Sequence, residues 1–108
     1  MKTKSTLPKY FPRTNVNFYI LLALFSPQDG HGIMNMVEEI SEGEVRLAPG
    51  TLYGVLHKLE KDGLISKYDQ LTSDRRHLYE LTALGRNIVQ EELHKLQSLI
   101  DKYNKMLQ

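Results

Sequence analysis

Cysteine is absent from the 108-residue chain, and so is tryptophan. The first absence excludes disulfide staples and thiolate metal sites and suits a reducing interior. The second leaves any aromatic stacking to Phe and Tyr. Long apolar runs are missing too. The longest, around Phe18 to Phe25, falls far short of the roughly 20 residues that a membrane span needs. Lysines near the N-terminus are not followed by the apolar stretch that marks a secretory signal. The expectation is a cytoplasmic protein with no membrane partner. Catalytic constellations are equally scarce. His31, His57, His77 and His94 show no His-Glu-x-x-His or comparable spacing. No Gly-rich phosphate loop, nucleophile elbow or carboxylate pair occurs, and a lone histidine such as His31, at a helix start, caps or hydrogen-bonds more often than it ligates. No enzyme activity, metal or cofactor is therefore expected.

Charge of one sign is also lacking, since 14 Lys and Arg face 13 Asp and Glu for a net charge of +1. That balance does not announce a polyanionic partner. Its distribution is more informative. Lys2, Lys4, Lys9 and Arg13 are unopposed, Asp29, Glu38, Glu39, Glu42 and Glu44 form an acidic block, and Arg46, Lys58, Lys61, Lys67, Arg75 and Arg76 follow. Such a dipolar surface presents one basic face on a nearly neutral chain. With 41% hydrophobic and 25% charged residues the composition is that of an ordinary globular chain. Its length suits one domain, or one domain with an extension. A chain this short buries a limited fraction of its surface, which makes oligomerisation a natural source of extra core.

Residues 1–13 hold Pro8 and Pro12 without sustained periodicity and read as a basic N-terminal arm, either touching phosphates or simply loose. From Thr14 or Asn15 a helix is expected through Val16 to roughly Phe25, apolar almost all round and therefore covered on several sides. Ser26 to Gly30 breaks it. A second helix, from His31 or Gly32 to Ser41, carries one stripe of Ile33, Met36, Val37 and Ile40. A third runs from Pro49 to a stop at Gly63, the former suited to a first helical position and the latter to a left-handed end. Residues 64–71 and 75–81 read as two strands of a hairpin with Arg75 and Arg76 near its tip. Thr82 caps a last helix that starts at Ala83 and runs almost to the end. In that helix Val89, Leu93, Leu96, Ile100, Tyr103 and Leu107 are spaced 4, 3, 4, 3, 4, the heptad period of a coiled-coil seam.

The third helix is the informative one. Leu52, Val55, Leu56 and Leu59 recur at i, i+3, i+4 and i+7 and form its buried stripe. The opposite face carries Gly50, Gly54, His57 and Lys61, with Tyr53 on its flank. Gly inside a helix costs about 1 kcal/mol relative to Ala. Two glycines on an outer face make sense where something must approach the backbone closely. A thin N-terminal half with a phenol and two potential cations fits the major groove of DNA. A surface helix with two tolerated glycines is the competing reading. Three helices followed by a hairpin give a mainly α (α+β) fold, a winged helix-turn-helix with a two-stranded wing and a long C-terminal dimerisation helix. The expected units are 1–13, 14–82 and 83–108.

Taken together the chain resembles the PadR family of bacterial transcriptional regulators, in its smaller subfamily with a single C-terminal helix. The motifs that carry the resemblance are Ile20 to Leu24, Gly30-His31-Gly32, Glu44 to Tyr53, Lys58 to Ile65 and Tyr79 to Arg86. The Pro49-Gly50-Thr51-Leu52-Tyr53 core is specific, whereas winged helices in general share only the Leu-Glu-x-x-Gly-Leu-Ile part. The resemblance implies a homodimeric repressor that binds a roughly palindromic double-stranded operator and releases it when an effector binds. It places Tyr53 and its helix in the major groove, and Arg75 and Arg76 on backbone or minor groove. Two departures stand out. Ala48 stands where many members have Ser, forfeiting a side-chain cap worth about 1 kcal/mol. Gly54 stands where proline or another residue is common, so base preference does not carry over.

The expected DNA-facing set is thus Gly50, Thr51, Tyr53, Gly54, His57, Lys61, Arg75 and Arg76. Tyr53 reads equally as a packing residue, and Arg75 and Arg76 as a solvated tip. Phe18, Leu22, Val89, Leu93, Leu96, Ile100, Tyr103 and Leu107 are expected to dimerise. Phe18, Tyr19, Leu22, Leu96, Ile100 and Tyr103 would line a pocket for a small apolar or aromatic effector, or serve as plain dimer core. A winged-helix module that binds protein through the same surfaces, without specific DNA binding, is the other class of function.

Overall fold

The computed structural model describes residues 15–69 and 77–108. Four helices and one hairpin follow in the order α1 (Val16–Ala23), α2 (Gly30–Ile40), α3 (Pro49–Lys61), β1 (Ile65–Asp69), β2 (His77–Leu81) and α4 (Ala83–Met106). Most helix starts have a capping side chain. Asn15 accepts the Asn17 N–H at 2.7 Å, Asp29 the Gly32 N–H at 2.8 Å, and Thr82 the Gly85 N–H at 3.1 Å. Ahead of α3, Ala48 supplies no side-chain bond and Pro49 opens the helix, as its sequence implied. The end of α3 is also as expected, with Gly63 in the left-handed region at φ +81°.

The core lies where α1, α2, α3 and the hairpin meet. Ile20, Ile33, Val37, Leu52, Leu56 and Ile65 are its most deeply enclosed side chains. The α3 stripe behaves as expected, with Leu52, Leu56 and Leu59 buried and Val55 partly so. Two expectations need correction. The first helix stops at Ala23 with Leu24 as its cap, and Phe25 is 70% exposed. The turn that carries the chain to α2 takes Phe25 out of the helix and away from the core. In α2, Ile40 is 38% exposed. As the last helical residue it extends past the surface on which Ile33 and Val37 pack. The second helix also starts earlier than expected, at Gly30, because Asp29 is the cap.

The connection from α2 to α3 is built around buried Ser41, whose hydroxyl accepts the Val45 N–H at 3.0 Å and donates to the Glu38 carbonyl at 3.3 Å. Glu42 and Gly43 take successive left-handed conformations there, at φ 56° and 82°. The hairpin pairs Ile65 with Leu81 through to Asp69 with His77. Gln28 adds a one-residue third strand: its N–H donates to the Tyr79 carbonyl at 3.1 Å, and the Tyr79 N–H donates back at 2.8 Å. The Gln28 side-chain amide donates to the Ala23 carbonyl, tying the α1–α2 turn to the wing.

Thr82 joins α4 to the end of α3. Its hydroxyl donates to the Gly63 carbonyl at 2.6 Å and its N–H to the Leu64 carbonyl at 3.1 Å. The first turn of α4 sits so close that a Cβ on Gly85 would overlap the Leu64 carbonyl oxygen. Gly85→Ala is therefore expected to destabilise the protein by about 2 kcal/mol or more, despite a helix-propensity gain of roughly 1 kcal/mol. A fall in the thermal midpoint of about 10 °C would register it; an unchanged midpoint would show that the junction has slack. Beyond Val89 the helix leaves the body. From Leu93 to Gln108 every residue except Ser98 is exposed, and the molecule extends 57 × 29 × 23 Å.

Candidate nucleic-acid interface

The outer face of α3 is open. Gly50, Thr51, Tyr53, Gly54, His57 and Lys61 are all exposed, and among the described residues a Cβ on Gly50 or Gly54 would meet nothing within 4 Å. Neither glycine has a positive φ. The fold itself thus gives no reason for a glycine at either position. At roughly 100° per residue, Gly50, Lys61 and Gly54 lie almost in line along the helix, with His57 to one side. Lys58, also exposed, borders Gly54 on the other side and belongs to the same surface. It was absent from the expected set, although its position between the glycine line and Thr51 at roughly 100° per residue was a signal that could have found it. Ala48 supplies no side-chain cap to the N-terminal turn, so the helix dipole and the N–H groups of that turn add to the positive field of the two lysines.

Tyr53 is 48% exposed and packs as well. Its hydroxyl rests against Gly30, the first residue of α2. Tyr79, 5% exposed on β2, has its phenol pushed above the ordinary tyrosine value by burial, with smaller contributions from Tyr53 and Glu60. The open choice between a DNA-facing and a packing Tyr53 therefore resolves in part: one edge of the ring packs on α2 while the remainder faces solvent. Arg75 and Arg76 lie outside the described residues.

The residues expected to dimerise separate into two groups. Val89 is buried in the body, and Phe18 and Leu22 are partly buried on α1, as is Tyr19 of the expected effector pocket. Leu93, Leu96, Ile100, Tyr103 and Leu107 project along the exposed part of α4. Clefts of about 540 Å³ (Asn35, Glu38, Glu39, Glu42, Gly43) and about 450 Å³ (Asn87, Gln90, Glu91, His94, Lys95) lie elsewhere, the second lined mainly by the apolar stems of its polar side chains. Neither includes a residue of the expected effector pocket. Among the described residues, no group of His, Asp or Glu is arranged to hold a metal, and no helix is long and apolar enough to cross a membrane.

Three helices, an antiparallel hairpin braced by Gln28 and an open third helix define a winged helix-turn-helix protein. Residues 20–91 match the transcriptional regulator PadR-like family, and the chain belongs to that family. It is 34% identical over 90 residues to the transcriptional regulator Rv3488 of Mycobacterium tuberculosis, covering 82% of each chain. Among solved structures, H. salinarum RosR aligns with a TM-score of 0.67 at 27% identity, over 81% of this chain and 76% of that one. Bacillus subtilis PadR in complex with operator DNA aligns with a TM-score of 0.63 at 21% identity, over 72% of this chain and 46% of that one. This chain therefore spans less than half of that protein.

Proposed function

We propose that this transcriptional regulator is a homodimeric repressor that reads a palindromic operator through α3 and the hairpin tip, and releases it on binding an effector. The observation that carries the DNA reading is the outer face of α3. Two glycines with no role in the fold leave its backbone open beside His57, Lys58 and Lys61. A groove floor can approach such a surface to hydrogen-bonding distance while the lysines reach phosphates. Operator DNA is the partner of the structurally similar Bacillus subtilis PadR, which supports DNA as the partner here. Residues 14–82 form the reading unit in this proposal and residues 83–108 the dimerising helix, while the expected basic arm, residues 1–13, lies outside the described residues.

The second copy is argued from α4. Its exposed apolar residues are not confined to the heptad seam, because Leu84, Ile88, Leu99 and Met106 are also exposed. Together they form an arc about 180° wide, broader than a two-stranded seam requires. Such an arc suits burial against two helices, the partner's α4 and α1. Phe18, Tyr19 and Leu22 on α1, with Leu96, Ile100 and Tyr103 on α4, would then enclose either a flat apolar effector or plain dimer core.

Selection of genomic fragments by the purified protein tests the reading. The expected result is a two-fold-symmetric site with half-sites about 34–36 Å apart, or a multiple of that spacing. Binding should fall steeply with salt, and Lys61→Ala should weaken it and lower the salt slope by about 1. Enrichment of no sequence, with weak salt-independent binding, would instead favour a winged helix that docks protein.

A further inference from the structure

Gly30 opens α2 without needing a glycine's backbone freedom, since the left-handed conformations of the described chain fall at Glu42, Gly43 and Gly63. What its position requires is space. Gly30 is buried, and a Cβ there would overlap the Tyr53 hydroxyl oxygen, with Cζ at 2.9 Å and Cε1 at 3.3 Å. The phenol from α3 thus rests on the bare backbone of α2. Tyr79, joined to Gln28 just before α2, is close enough for its ionisation to respond to Tyr53 and Glu60. Glu60 lies seven residues beyond Tyr53, on the same flank of α3. Tyr53 therefore spans the corner between α2, α3 and the base of the wing while bordering the open face of α3.

We propose that Gly30 is a positioning residue for DNA recognition: its missing side chain seats the Tyr53 phenol in the α2–α3 corner and so fixes how α3 is presented to the groove. The inference rests on the DNA-binding reading above. A methyl group at position 30 must push the ring, the helix, or both. Base-edge hydrogen bonds weaken steeply with small errors in distance and angle. Phosphate contacts from long lysine stems adapt to the same displacement. Loss of the seat should therefore reduce discrimination between sequences more than it reduces binding to DNA in general. A role confined to stability would leave that ratio unchanged.

The test uses the full chain, the operator enriched by selection and a scrambled duplex of equal length. Affinity and thermal midpoint are measured for wild type, Gly30→Ala, Tyr53→Phe and the double variant. Gly30→Ala is expected to weaken operator binding by about ten-fold or more and scrambled binding by less than about three-fold. Adding Tyr53→Phe removes the overlapping oxygen and leaves Cζ as the nearest ring atom, so the double variant should regain part of the loss. Operator binding by Gly30→Ala within about two-fold of wild type overturns the proposal, as do equal losses on both duplexes or losses that multiply in the double variant. Should Gly30→Ala not fold alone, folding of the double variant supports the seat and its failure overturns it. A wild type that does not distinguish the two duplexes defeats the DNA reading and this proposal with it. The Gly30–Tyr53 contact would still appear separately, as non-additive shifts in the thermal midpoint.

Discussion

Leu96→Asp combined with Ile100→Asp is expected to convert the proposed dimer into monomers and to lower operator affinity by about a thousand-fold or more. The two side chains are 44% and 52% exposed in the single chain, on the part of α4 that extends beyond the body. Neither supports the fold of its own protomer, so the helical content and the reading head should persist. At an interface each contributes roughly 1.5–3 kcal/mol when fully buried. Each replacement carboxylate would also lose its water without gaining a partner, which costs several kcal/mol more. A monomer retains one α3 and contacts one half-site, so binding falls toward the non-specific level. Sedimentation velocity reads the change of mass, and the same samples titrated with operator read the change of affinity. A variant that stays dimeric would place the interface elsewhere. Monomers that bind as tightly as wild type would remove the need for two copies.

What was legible in the sequence was local and periodic. The stripe of Leu52, Leu56 and Leu59, Pro49 at the head of α3 and Gly63 at its end are patterns within one element, and the structure has them where expected. The hairpin was legible for the same reason. Contacts between distant residues were not. Gly30 and Tyr53 are separated by the rest of α2, the connection after it and the first turn of α3, and no spacing rule relates them. The single pair between Gln28 and Tyr79 has no period to detect, yet it fixes the wing to the start of α2. Nothing in the spacing around Gly85 points to the Leu64 carbonyl that lies against it. The misplacements of Phe25 and Ile40 have a related origin. Apolarity continues past the last residue that has something to pack on, and sequence shows the apolarity but not where the neighbouring surface ends.

Gly54→Gln is expected to raise stability while lowering operator affinity by about a hundred-fold. On the fold's own terms glycine is the wrong residue at this position. It stands in the middle of α3, its surroundings are open to 4 Å and its φ is not positive. Glutamine should recover most of the roughly 1 kcal/mol that an interior glycine costs and raise the thermal midpoint by about 4 °C or more. Against DNA the same side chain would occupy the space between the helix backbone and the groove floor. Overpacking of one side chain at a close contact costs about 1–3 kcal/mol, and each 1.4 kcal/mol is ten-fold in affinity. Gly54→Ala should fall between, with a similar gain in stability and a smaller loss of binding. The opposite signs make the pair of measurements decisive, because a variant that merely unfolds would lose both. A more stable Gly54→Gln that still binds operator like wild type would remove α3's outer face as the reading surface. It would leave the two exposed glycines as nothing more than tolerated cost.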